Sequence, residues 1–220
     1  MEHPDELPER LERALKRTDQ NFQQVYGPLV ALKIAITVAA SKAQEHLGPA
    51  LGFSSTSKPS EPQILLMYEF LYFFSHLVLR TAVSEGLTES KIKKLQAFLG
   101  PWIVWTAVNG FFHHWPEHLK KKMSGEVYNR LNDAEMEYAK CRGLLNPENP
   151  LDAKTLLGRL SRNAMDLWDK SPHDPAAPQV VASVAEAITV MRLKEQVQQA
   201  ADVIDLVDIK LITEFWSAGR

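Results

Sequence analysis

Three ionisable residues, Glu69, His76 and Arg80, lie in the apolar run Pro62 to Arg80, PQILLMYEFLYFFSHLVLR. An α-helix advances by about 100° per residue, so His76 and Arg80 return to within roughly 20° of Glu69. The three form one stripe, bordered by Leu65, Leu66, Tyr72 and Phe73. An unpaired charge among such neighbours is costly, so the row is either a buried polar network or a binding site. As a ligand site, Glu69, Tyr72, His76 and Arg80 divide the roles between them. Glu69 serves as acid, base or ligand, His76 shuttles a proton or binds a metal, and Arg80 holds an anionic group. Glu69 and His76 are about 10.5 Å apart along the axis, too far to share one ion unless their side chains lean together.

A second group, His113, His114 and His118, offers imidazoles near neutral pH. His114 and His118 have the i, i+4 spacing of a helical ligand pair, but Pro116 interrupts it, and a helix-end role suits these histidines equally. A metal set made of His76, His113 and His114 requires the two segments to meet. Lys120, Lys121 and Lys122 read as a solvated basic face, and Asp202, Asp205 and Asp208 spread around a helix rather than converge. Cys141 lacks a positioned histidine nearby. No phosphate loop, dinucleotide fingerprint, nucleophile elbow or His-Glu-x-x-His motif occurs, so no cofactor is expected. Tyr68, Phe70, Tyr72, Phe73 and Phe74, with Trp102, Trp105, Phe111, Phe112 and Trp115, form a core or line a pocket between two helices.

The elements that must position these groups are helices. No period-2 run bounded by hairpin turns is present. Gly27-Pro28, Gly48-Pro49 and Gly100-Pro101 mark joints where helices abut or kink. Residues 48–61 form a loop, Ser60 and Gln63 a capping box, Gly86 a stop, and Thr88 a cap for a helix running to about Leu99. Helix follows from Glu117 to Leu145 with a possible break at Ser124-Gly125. Asn149 is expected to cap the next helix, which ends near Trp168, and 171–178 is a linker. Residues 179–216 hold neither Gly nor Pro and read as one long helix or two joined by a tight turn. The expectation is an all-α, single-domain bundle of seven to nine helices spanning 1–220, centred on Pro28–Leu47, Pro62–Val83 and Pro101–Phe112.

The 220 residues are 45% hydrophobic, enough for an ordinary core, and 25 basic against 27 acidic residues leave a charge of −2. That balance argues against nucleic acid as a partner. One cysteine fits a reducing, cytoplasmic setting, and the charged amino terminus lacks a secretory signal. The most apolar windows, 28–40 and 101–112, fall short of the ~20 residues that span a bilayer, so no membrane role is expected. The function that fits is non-enzymatic: a protein that binds a protein partner or itself, with 179–216 as the surface. The alternative is an enzyme, or a ligand- or metal-binding protein, with an interhelical pocket around Glu69, His76 and Arg80.

Overall fold

The computed structural model describes residues 6–53, 59–112 and 114–207, with side chains from Gln24 onward. Among them the chain is all-α. Helix α1 spans Glu6–Leu51, α2 Glu61–Ser84, α3 Glu89–Phe112, α4 Glu117–Tyr138, α5 Leu156–Asp166, α6 Ala177–Met191 and α7 Leu193–Val203, with a 3₁₀ turn at Ile204–Leu206. The only extended pairing described is an isolated bridge between Gly143 and Thr155.

Helix α1 buries Leu29, Leu32, Ile36, Ala40, Ala43 and Leu47 along one face, at the three- and four-residue spacing that brings side chains onto one stripe. Near its end, Gln44 Nε2 donates to the Gln63 carbonyl at 2.6 Å, tying it to the start of α2. The two helices therefore run antiparallel. Helix α2 is the centre of the bundle: every residue from Phe70 to Val78 is buried, and it packs against α1, α3, α4, α5 and α7. It begins as its sequence indicates, with the Ser60 N–H donating to Gln63 Oε1 at 2.7 Å. It ends at Gly86, whose φ of +74° lets the Leu87 N–H reach the Ala82 carbonyl at 3.1 Å. Thr88 Oγ1 then accepts from the Lys91 N–H at 3.4 Å and opens α3.

Two of the Gly-Pro joints do not separate helices. Pro28 lies inside α1 and Pro101 inside α3, so the helix expected to stop near Leu99 continues to Phe112. Burial after Pro28, at Leu29 and Leu32, and on both sides of Pro101, at Leu99 and Trp102, outweighs the single backbone bond lost. Pro49 is likewise helical, which takes 48–51 out of the expected loop, while 54–58 lie outside the described residues. Because the joints are crossed, apolar runs lengthen. Gln24–Leu51 (28 residues) and Glu61–Ser84 (24 residues) are long and apolar enough to cross a membrane by length and composition, unlike the shorter windows read from sequence. Two-thirds of the most apolar window in Glu61–Ser84 is buried inside the bundle, against one-third of that in Gln24–Leu51.

Helix α4 passes Ser124-Gly125 unbroken and ends at Tyr138 rather than Leu145. The cap of α5 is Thr155 rather than Asn149: its Oγ1 accepts from the Gly158 N–H at 3.2 Å. Residues 177–203 form two helices joined at Arg192, whose φ of +50° makes the turn, so the expected linker 171–178 gives way to helix at Ala177. Their apolar residues face inward. Val180, Val184, Ala187, Met191, Val197, Ala200 and Ile204 are buried, with α6 and α7 lying against α1. Residues 208–216 lie outside the described part.

Candidate functional site

Glu69 is partly buried on α2 and is held by two neutral donors. The Tyr138 hydroxyl, at the end of α4, donates to Glu69 Oε1 through a short bond, and Asn163 Nδ2, from α5, donates to the same oxygen at 2.8 Å. Loss of water around the carboxyl is the largest influence on it and raises its pKa, with the two hydrogen bonds opposing. Burial also drives the Tyr138 hydroxyl, which is fully buried, well above its ordinary range. One acidic side chain thus joins three helices.

The rest of the stripe does not converge on Glu69. His76 Nδ1 donates to Glu135 Oε1 at 2.9 Å, and its ring lies 5.7 Å from the Tyr138 ring. The other ring nitrogen, Nε2, is buried without a hydrogen-bond partner among the described residues. Arg80 Nη1 donates to the Cys141 carbonyl at 2.8 Å. The Tyr72 hydroxyl donates to the Val127 carbonyl at 3.4 Å. The Tyr72, His76 and Arg80 bonds advance together along α2 and towards and past the end of α4, so the two helices run parallel, while the Tyr138 side chain reaches back to Glu69. The sequence places Glu69, Tyr72, His76 and Arg80 on one face, and that face is stitched to α4, α5 and the turn after α4. Each of the four makes a hydrogen bond of its own across the bundle.

Of the expected metal set, the two described members, His76 and His114, lie at different levels of the bundle. The Tyr68 hydroxyl donates to the Ala107 carbonyl at 3.0 Å, fixing α2 and α3 antiparallel. His114 follows the end of α3 towards the start of α2, while His76 lies two turns beyond Tyr68 in the opposite direction. His114 is exposed, and His113 lies outside the described residues. Among the described residues no group of three His, Cys, Asp or Glu side chains could hold a metal ion. Cys141 is buried, and burial pushes its thiol upward, away from the thiolate needed for nucleophilic chemistry. The Lys91 and Lys94 ammonium groups find an internal role: Lys94 pairs with Asp205 at 2.6 Å and Lys91 Nζ donates to the Ala201 carbonyl at 2.7 Å.

No protein-family model matches the chain, nor does any curated protein or solved structure.

Sequence reasoning missed Tyr138 and Asn163, which sit 69 and 94 positions from Glu69 and carry no local signal. It also missed Lys33. This lysine is the only Asp, Glu, Lys or Arg in 24–41 and is 8% exposed. Its ammonium lies 5.8 Å from the Phe98 ring centroid and 5.5 Å from that of Trp102. Burial lowers its pKa to about 8. An unfolded lysine titrates near 10.4, so between these values the unfolded chain binds more protons and stability rises with pH. Lys33→Met should therefore melt higher than the parent at pH 7, and the gap should narrow by pH 10. Thermal melts at the two pH values decide it, and a gap that is constant would mean that the ammonium is not held at a cost.

Proposed function

We propose that this chain acts without catalysis, as a helical scaffold that associates through the outer face of α1, and that its partner is a second copy of itself. The observation that carries this reading is an apolar row on α1: Val30, Ile34 and Val38 are 42%, 57% and 43% exposed. Exposed large aliphatics are ordinary when scattered, but three at four-residue spacing make a continuous ridge. No charge interrupts it. Residues 24–41 carry only Lys33 among Asp, Glu, Lys and Arg, and Lys33 is turned inward.

The row is also self-complementary. A two-fold axis at Ile34 sets that residue against its own counterpart and Val30 against Val38 of the second copy, the arrangement an isologous dimer requires. Gly27, Ala31 and Ala35 beside the row are small enough for two helices to approach closely. The surface expected from sequence, 179–216, supports association less well, because its described large apolar residues are mostly buried in the bundle, with Val190 and Leu206 as exceptions. The rival reading, a ligand or metal pocket around Glu69, His76 and Arg80, has less support because each of these groups already has a protein partner or lies far from the others. The same reading puts the chain in the cytoplasm, where Cys141 stays reduced.

Light scattering of the full chain over a range of concentrations tests it. The parent should have the mass of a dimer and Ile34→Glu that of a monomer, with circular dichroism unchanged because the position is exposed. A parent that stays monomeric at high micromolar concentration, or a dimer indifferent to Ile34→Glu, overturns the proposal.

A further inference from the structure

The start of α2, the end of α3 and the first half of α4 enclose a cavity of about 330 Å³, within the range of small-molecule sites. Its walls are apolar and aromatic: Ile64, Leu65 and Tyr68 on one side, Phe112 and Trp115 on another, Met123 and Val127 on the third. Two pairs of rings stiffen it. Phe112 and Trp115 lie 4.3 Å apart, and Tyr68 packs edge-on to Phe111 at 5.8 Å. The Tyr68 hydroxyl is occupied by the Ala107 carbonyl, so this residue offers the space its ring rather than its polar end.

Three ionisable side chains stand at the mouth, Glu61, Glu126 and Arg130. Arg130 is exposed and, among the described residues, makes no hydrogen bond or ion pair. Glu126, one turn before it, is not within ion-pair distance. The guanidinium charge is felt at Tyr68, one of the lining residues, where it opposes the upward shift that burial imposes. An arginine without a partner among the described residues has its fork free for a carboxylate.

We infer that this cavity is a binding site for a small carboxylate with an apolar or aromatic body, its tail among Leu65, Phe112, Trp115 and Met123 and its head on Arg130. The inference is independent of self-association through α1, which involves none of these residues. The experiment is calorimetric titration of the full chain with decanoate and, separately, with decylamine, whose tail matches but whose charge is reversed.

Decanoate should bind saturably with one molecule per chain, and decylamine more weakly. Arg130→Gln removes an exposed, unpaired charge, so the fold is retained. It should weaken decanoate by about tenfold, the worth of one charge-assisted bond. Met123→Trp should fill the cavity and abolish binding; should that variant misfold, the Arg130→Gln and decylamine results still decide. Equal binding of the amine, affinity unmoved in Arg130→Gln, or non-saturating uptake of several molecules would each overturn the inference.

Discussion

Changing Gly158 to Ala is expected to destabilise the chain by about 3 kcal/mol or more, although helix propensity alone argues for a gain of about 1 kcal/mol. Gly158 lies in the first turn of α5, where a methyl group would stand 2.1 Å from the Asp152 carbonyl oxygen and 2.5 Å from its carbon. These are backbone atoms and cannot rotate aside. The same oxygen accepts from the Thr155 N–H at 2.9 Å and from its hydroxyl at 2.7 Å, while the Leu156 N–H is held by the Gly143 carbonyl at 2.9 Å. The turn before α5 is therefore fastened on several sides, and making room means breaking some of those bonds. Gly125→Ala in α4 is the control, since nothing lies within 4 Å of its added carbon. Urea unfolding should show Gly125→Ala slightly stabilised and Gly158→Ala strongly destabilised at similar m-value. A stabilised Gly158→Ala would mean that α5 is free to shift, and with it Asn163 and the bond to Glu69.

The same contrast explains what the sequence reveals and what it conceals. Helix class, the capping box at Ser60, the stop at Gly86 and the cap at Thr88 are encoded within a few residues, and all are seen. The continuity of α1 and α3 through Pro28 and Pro101 is decided by burial against distant helices, which no local rule contains. The ionisable stripe shows the same division. Period 3.6 correctly puts Glu69, His76 and Arg80 on one face, but one face of a 24-residue helix meets more than one neighbour. Glu69 meets Tyr138 of α4 and Asn163 of α5, His76 meets Glu135 of α4, and Arg80 meets the turn beyond that helix. The partners are long-range, so sequence could show that polar groups needed satisfying without showing what satisfies them. The aromatic cluster divides similarly: Phe70, Phe73 and Phe74 are core, whereas Phe112 and Trp115 border a cavity.

Two substitutions at Glu69 separate a structural network from a charged site. Glu69→Ala leaves the Tyr138 hydroxyl and the Asn163 amide without their acceptor in a mostly apolar setting, and should cost on the order of 4 kcal/mol. Glu69→Gln keeps an oxygen where both donors point and removes only the charge. Because burial raises the Glu69 pKa in the folded chain, the native state binds more protons than the unfolded state, whose carboxyl titrates near 4.3. Stability from this residue is thus fully present below that value and is lost as pH rises towards the native pKa. Glu69→Gln should match the parent near pH 4 and melt as high or higher at pH 7. Thermal melts of the parent and both variants across that range give the answer. Parity or gain for Glu69→Gln, with a large loss for Glu69→Ala, means that the side chain serves as an acceptor joining three helices. Were Glu69→Gln as damaging as Glu69→Ala at pH 7, the negative charge itself would be needed, and a cationic ligand would again have to be sought beside it.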